Sequence, residues 1–94
     1  MASARLLAAF DQTIAAVRRM EAVGLRTVDG TSAQSQLARL IKELTTQRAA
    51  IADGAGLDPE WAGQLVRWVA EWIPERELPL LARLGGIARA GRGT

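Results

Sequence analysis

Residues 56–72, GLDPEWAGQLVRWVAEW, contain all three tryptophans of the chain. At about 100° per residue, Trp61, Trp68 and Trp72 fall in one narrow sector of a helix, and Leu65 joins them. Ala62, Val66, Val69 and Ile73 widen that sector into a large apolar face, while Glu60, Gly63, Gln64, Arg67 and Glu71 fall toward the other side. Asp58 and Pro59 mark the start of the helix. The carboxylate can accept a first-turn amide, and proline suits the first helical position. Pro74 ends it by removing a donor and crowding the preceding turn. So broad an apolar face must be covered, so the indoles read as packing groups. Trp61, Leu65, Trp68 and Trp72 are the expected seam, against neighbouring helices or a partner helix.

Outward from this stretch, the pattern stays helical. Leu6, Phe10, Ile14, Val17 and Met20 recur every three or four residues, which predicts a first helix from about Ser3 to Ala22, stopped by Gly24. GLRTVDGTS (24–32) reads as a turn or short extended connection. A second helix is expected to begin near Thr31 or Ser32, with Thr31 and Gln34 as a capping box. Leu37, Leu40, Ile41, Leu44 and Ile51 form its apolar face, and DGAG (53–56) ends it. Beyond Pro74, Leu78, Leu81 and Leu84 suggest a short terminal helix. The remaining GGIARAGRGT should fray. The expected architecture is all-α: three main helices plus a short C-terminal helix in one domain, residues 1–84, followed by a flexible Gly/Arg-rich tail, 85–94.

A chain of 94 residues, 49% hydrophobic, can bury one modest core, and oligomerisation would add to it. The net charge of +2 is a weak argument for a dedicated nucleic-acid binder. Residues 1–82 carry nine basic and ten acidic side chains, whereas 83–94 add Arg83, Arg89 and Arg92 with no acid, so the basic excess belongs to the tail. Solubility or nonspecific attraction is the favoured role for those three arginines. There is no long apolar run and no secretory pattern, so a cytoplasmic protein with no membrane association is expected.

Without histidine or cysteine, the chain has no disulfide, no His/Cys metal site and none of the familiar Ser/His/Asp or Cys/His nucleophile systems. Asp11, Asp29, Asp53 and Asp58 show no ligand spacing, so no metal is expected. Neither DGTSA nor DGAG has the lysine or flanking pattern of a phosphate or dinucleotide loop, so no cofactor is expected either.

Two resemblances remain. IADGAGLDPEWAGQLVRW (51–68) resembles a helix-turn-helix segment, with Ala52 four residues before Gly56 and Leu65 facing inward. That resemblance places Gln64 and Arg67 toward DNA as base readers, although the helix is not densely basic. The whole helical order resembles the small all-helical chorismate mutases, through GLRTVD (24–29), QLARL (36–40) and GLDPEWAGQLVRW (56–68). It implies an interlocked homodimer that rearranges chorismate to prephenate with arginine and lysine side chains around the two carboxylates and the ether oxygen. The family's first-helix lysine falls near Arg19 or Met20. Its earlier arginine falls at Ala8 or Ala9, and its Arg-Glu pair at Ser32 and Ala33, with Asp29 as a nearby acid. The cationic candidates are Arg18, Arg19, Arg39 and Lys42; Arg39 and Lys42 share one side of their helix.

The leading expectation is a non-catalytic helical interaction or assembly module, as a homodimer or with another helical protein. Mutase-like catalysis and DNA binding are the alternatives.

Overall fold

A computed structural model describes residues 4–92, with the side chain of Arg92 excepted. Four α-helices make up the fold: α1 (Ala4–Val23), α2 (Gln34–Ala52), α3 (Pro59–Trp72) and α4 (Pro79–Arg92). A single 3-10 turn, Glu75–Glu77, joins the last two. The all-α bundle expected from the periodicity is the fold observed. Ser3, the expected first residue of α1, lies outside the described residues, as do Gly93, Thr94 and the Arg92 side chain.

The helix boundaries follow local chemistry. Gly24 takes φ 75°, a left-handed conformation that only glycine adopts without strain, and α1 stops there. Asp58 caps α3 as its sequence position predicts: its Oδ1 accepts the Glu60 amide at 2.9 Å, with Pro59 in the first turn. Ile73 is extended, so α3 ends before Pro74.

The start of α2 differs from expectation. The helix begins at Gln34, after Ala33, and the Thr31–Gln34 capping box does not form. Residues 24–33 instead make a small hairpin-like turn. Arg26 and Ser32 form an isolated antiparallel bridge, the Thr27 amide donates to Thr31 O at 2.8 Å, and the Ala33 amide donates to Leu25 O at 3.0 Å. The Thr31 hydroxyl pairs with the Thr27 hydroxyl at 2.8 Å, which takes it away from the helix start. Gly30, at φ 81°, permits the reversal. Ser32 Oγ accepts the Gln34 amide at 3.3 Å as the remaining local cap.

The C-terminal helix is longer than expected. It starts at Pro79 and runs through Gly85 and Gly86 to Arg92, so residues 85–92, expected to fray, are helical. Leu80, Leu84, Ile87 and Ala88 are all buried. This i, i+4, i+7, i+8 spacing is one continuous helical face. Two interior glycines cost roughly 1 kcal/mol each relative to alanine. Burying Ile87 returns about 1.5–3 kcal/mol, enough with Ala88 and the helical hydrogen bonds to carry the helix past them. Leu78, assigned by sequence to the helix face, precedes α4 and is exposed.

The core centres on Phe10 and Val17 of α1, Leu37, Leu40 and Leu44 of α2, Val69 of α3, and Leu80 and Ile87 of α4. Among the described residues, α1 lies closely against α2 and against α4, and α3 lies closely against α4. No close backbone approach joins α2 and α3; bulky side chains fill that side. Thr13, buried in α1, donates its hydroxyl to Ala9 O at 2.8 Å, so its burial leaves no hydroxyl donor unpaired.

Gly63, inside α3, packs against nothing: a Cβ added there would meet no atom within 4 Å, and the same holds for Gly86 of α4. Gly63→Ala and Gly86→Ala are each expected to raise the unfolding free energy by about 0.5–1 kcal/mol through lost unfolded-state freedom and better helix propensity. Urea denaturation checks this; a loss of stability at either position would mean that the space is not open.

Candidate interaction surface

The apolar face of α3 turns mainly inward. Leu65 and Trp72 are buried, as are Ala62 and Val69, while Trp61 and Trp68 sit half-buried at the edge of the core. The buried centre is thus displaced from the tryptophan sector toward Ala62 and Val69, and beyond them Gly63 and Val66 line a cavity with Gly85, Ala88 and Arg89 of α4. Trp61 stacks on Phe10 of α1, with centroids 6.2 Å apart and planes at 12°. Its Nε1 donates to Glu43 Oε2 of α2 at 2.9 Å. Trp68 carries the Arg39 guanidinium 4.8 Å from its ring centroid. These contacts join α3 to α1 and α2 within one chain, around a notch of about 100 Å³ that Gln64 and Leu65 also line. Trp72 meets Trp68 edge-on at 5.3 Å, and its Nε1 is buried without a hydrogen-bond partner. The four expected seam residues therefore have neighbours inside the chain.

The cationic candidates Arg18, Arg19, Arg39 and Lys42 are all exposed. Arg39 lines the notch beside Glu43 and Trp68, whereas Arg19 lines a separate groove between α1 and α4. These two arginines do not share a cavity within one chain. Gln64 and Arg67 are exposed on α3, as their helical positions require. The connection before α3 spans residues 53–58, longer than the helix-turn-helix connection of about three or four residues. Together with the separation of α2 from α3, this departs from that motif's geometry.

One ion pair stands among the described residues: Arg48 of α2 donates through Nε and a second guanidinium nitrogen to the two carboxylate oxygens of Asp11 of α1. The bidentate contact holds the Asp11 carboxyl below its ordinary range, first through the hydrogen bonds and then through the charge. Its contribution to stability is present above the ordinary carboxylate pKa and disappears as the pH falls through the depressed one. The pair is solvent-exposed, so that contribution is small. Arg48→Ala is expected to return the Asp11 pKa upward, read by carboxyl-carbon NMR titration; an unchanged titration would show that the pair does not persist in solution. No group of three or more acidic side chains that could hold a metal occurs among the described residues.

The exposed large hydrophobic side chains gather at one end of the bundle. Val23, the last residue of α1, is 81% exposed, Val28 57% and Leu78 46%. The Val28 amide donates to Trp72 O at 3.1 Å, which ties the 24–33 turn to the end of α3. Val23 also borders the largest of the described cavities, an open groove of about 330 Å³ between α1 and the start of α4. Ala16, Met20 and Leu80 give that groove apolar surface, with Pro79 beside them, and Arg19, Arg83 and Glu77 supply its charges. The periodicity did not single out this surface, because Val23 lies just past the expected end of the first helix and Leu78 reads as a member of the terminal helix's apolar face. What exposes them is the position of the helix ends: α1 stops immediately after Val23, and Leu78 falls between the 3-10 turn and Pro79.

No described helix is long and apolar enough to cross a membrane. The chain matches no protein-family model, no curated protein and no solved structure.

Proposed function

We propose that the chain is a non-catalytic helical interaction module and that its contact surface is the end formed by Val23, Val28 and Leu78 with the adjoining α1/α4 groove. The observation that carries this reading is that the three exposed large hydrophobics lie at one end of the bundle, where Val23 lines the open groove and Leu78 stands between two of its lining residues, Glu77 and Pro79. Single exposed apolar residues are ordinary, but several at one end of a fold, beside an open groove with charges on its walls, have the composition of a protein-binding patch. The internal use of the α3 face moves the contact surface away from the tryptophans. Covering Val23 and Leu78 would remove from water the largest apolar groups that the fold leaves there.

The test is site-specific photo-crosslinking in cells, with the photoreactive residue at position 23 or 78 and, as a control, at exposed Thr45 of α2. Discrete protein adducts at 23 and 78 but not at 45 are expected. No adduct at either position, or equal adducts at all three, overturns the reading.

A further inference from the structure

We infer that the notch between α2 and α3 binds a weakly hydrated organic cation, a guanidinium or a methylated ammonium head, and that the Arg39 guanidinium on Trp68 is its built-in stand-in, displaced when the external cation enters. The notch shares no lining residue with the α1/α4 groove, so this site and the Val23 end stand or fall separately.

The chain itself already places a cation here. An indole face carries negative potential and attracts cations, most readily those that shed their water easily. The Arg39 guanidinium carbon sits 4.8 Å from the Trp68 ring centroid. Among the described residues no hydrogen bond or ion pair holds this guanidinium, so the ring face is the contact that keeps it in place. Glu43, one helical turn further on and lining the same notch, accepts the Trp61 indole N–H through one carboxylate oxygen and makes no ion pair. Arginine four residues before glutamate is the less favourable order for a pair along a helix, in keeping with Arg39 resting on the ring and not on the carboxylate. The notch thus offers a cation two partners, an indole face and a carboxylate, and its own arginine takes only one. An external head, free of the α2 backbone, can take both.

Size and charge narrow the guest. Sites that enclose a whole small molecule hold roughly 300–1,000 Å³, whereas the notch holds about 100 Å³. It has room for a head of a few heavy atoms whose remainder stays in water. The gap exists because α2 and α3 make no close backbone approach, so helix packing does not close it. Arg39 and Glu43 are the only charged residues that line it. Once Arg39 swings away, the guest meets a carboxylate and two indoles, with Gln64 and Leu65 adding no charge. An anion would meet Glu43, and a lysine-type ammonium would have to give up a tighter water shell than a guanidinium or a methylated ammonium does.

The experiment is an NMR titration of the full chain that follows the three indole N–H signals, assigned by replacing each tryptophan in turn with phenylalanine. The probes are tetramethylammonium chloride and N-acetyl-arginine amide, with N-acetyl-lysine amide and sodium chloride as controls at matched ionic strength. Saturable shifts of the Trp61 and Trp68 signals are expected for the first two probes, with a dissociation constant on the order of 1 mM. The lysine amide should bind more weakly, and sodium should give no saturable shift. Glu43→Gln keeps a carbonyl oxygen for the Trp61 indole and removes the charge, and it should weaken binding by about fivefold. Arg39→Gln removes the internal competitor and should tighten it by about twofold to fivefold. A response to only one of the two heads supports the site and identifies which head it takes. The absence of saturable shifts in both the parent chain and Arg39→Gln, binding indifferent to Glu43→Gln, weaker binding in Arg39→Gln, or equal binding of the lysine amide overturns the inference. The crosslinking result at positions 23 and 78 is unaffected by any of these outcomes.

Discussion

Phe10→Ala should lower the unfolding free energy by about 3–5 kcal/mol. Phe10 is fully buried: it belongs to α1, lies in the common core cluster and stacks on Trp61 of α3. Truncation to alanine forfeits the transfer of the ring from water and leaves a cavity that Trp61 cannot fill while its Nε1 is held by Glu43. A domain of this size has only about 5–15 kcal/mol in total, so the variant should be close to unfolding at ambient temperature. Urea denaturation followed by tryptophan emission measures the loss, and the near-ultraviolet dichroism of the indoles should weaken as Trp61 loses its stacking partner. A loss under about 1 kcal/mol would mean that the α1/α3 contact is not the packed one described.

The second large effect concerns the end of α4. Ile87→Ala is expected to cost about 2–5 kcal/mol, because Ile87 is buried as completely as Leu84 and Leu80, one and two turns earlier on the same face. This distinguishes a packed helix from a fraying tail by magnitude: in a tail the same change would fall within about 0.5 kcal/mol of zero. A chain ended after Leu84 should lose more than the single substitution, since Ala88 and the helical hydrogen bonds of residues 85–92 go with it. Thermal unfolding of the two variants beside the parent chain gives the comparison, and a truncation that leaves the melting temperature unchanged would return 85–92 to the role of a tail.

The parts legible in the sequence were those fixed by local chemistry. Asp58 followed by Pro59 marks a cap wherever the chain goes afterwards, and Pro74 stops a helix in any tertiary setting. The three-four spacing of the apolar residues gives the all-α class for the same reason. The start of α2 was not legible, because Thr31 has two possible partners and only the turned conformation of Gly30 brings Thr27 within reach. The extent of α4 was hidden by its glycines: their propensity argues for fraying, and only the packed position of Ile87 against the other helices outweighs it. The candidate surface depends on where α1 and the 3-10 turn end relative to each other in space. Spacing gives the angular position of Val23 and Leu78 on a helix, but not which neighbours fail to cover them. The angular sector of the four expected seam residues follows from spacing, but which neighbours they meet, Phe10 of α1 and Glu43 and Arg39 of α2 among them, is a tertiary fact.

The missing backbone approach between α2 and α3 bears on how the molecule moves. Of the close helix contacts, α1 with α2 and α3 with α4 are each local in sequence, and α1 with α4 joins the two halves; elsewhere the halves meet through the Phe10–Trp61 stack, the Glu43–Trp61 and Arg39–Trp68 side-chain contacts and the Val28–Trp72 hydrogen bond. Two hairpins hinged along one seam make natural cooperative units for partial opening, each able to keep much of its internal hydrogen bonding while they part. Amide protons inside either hairpin would then outlast those whose protection depends on the seam. The groove at the α1/α4 junction lies on that hinge, and a ligand or protein that grips both of its walls would slow the parting of the halves.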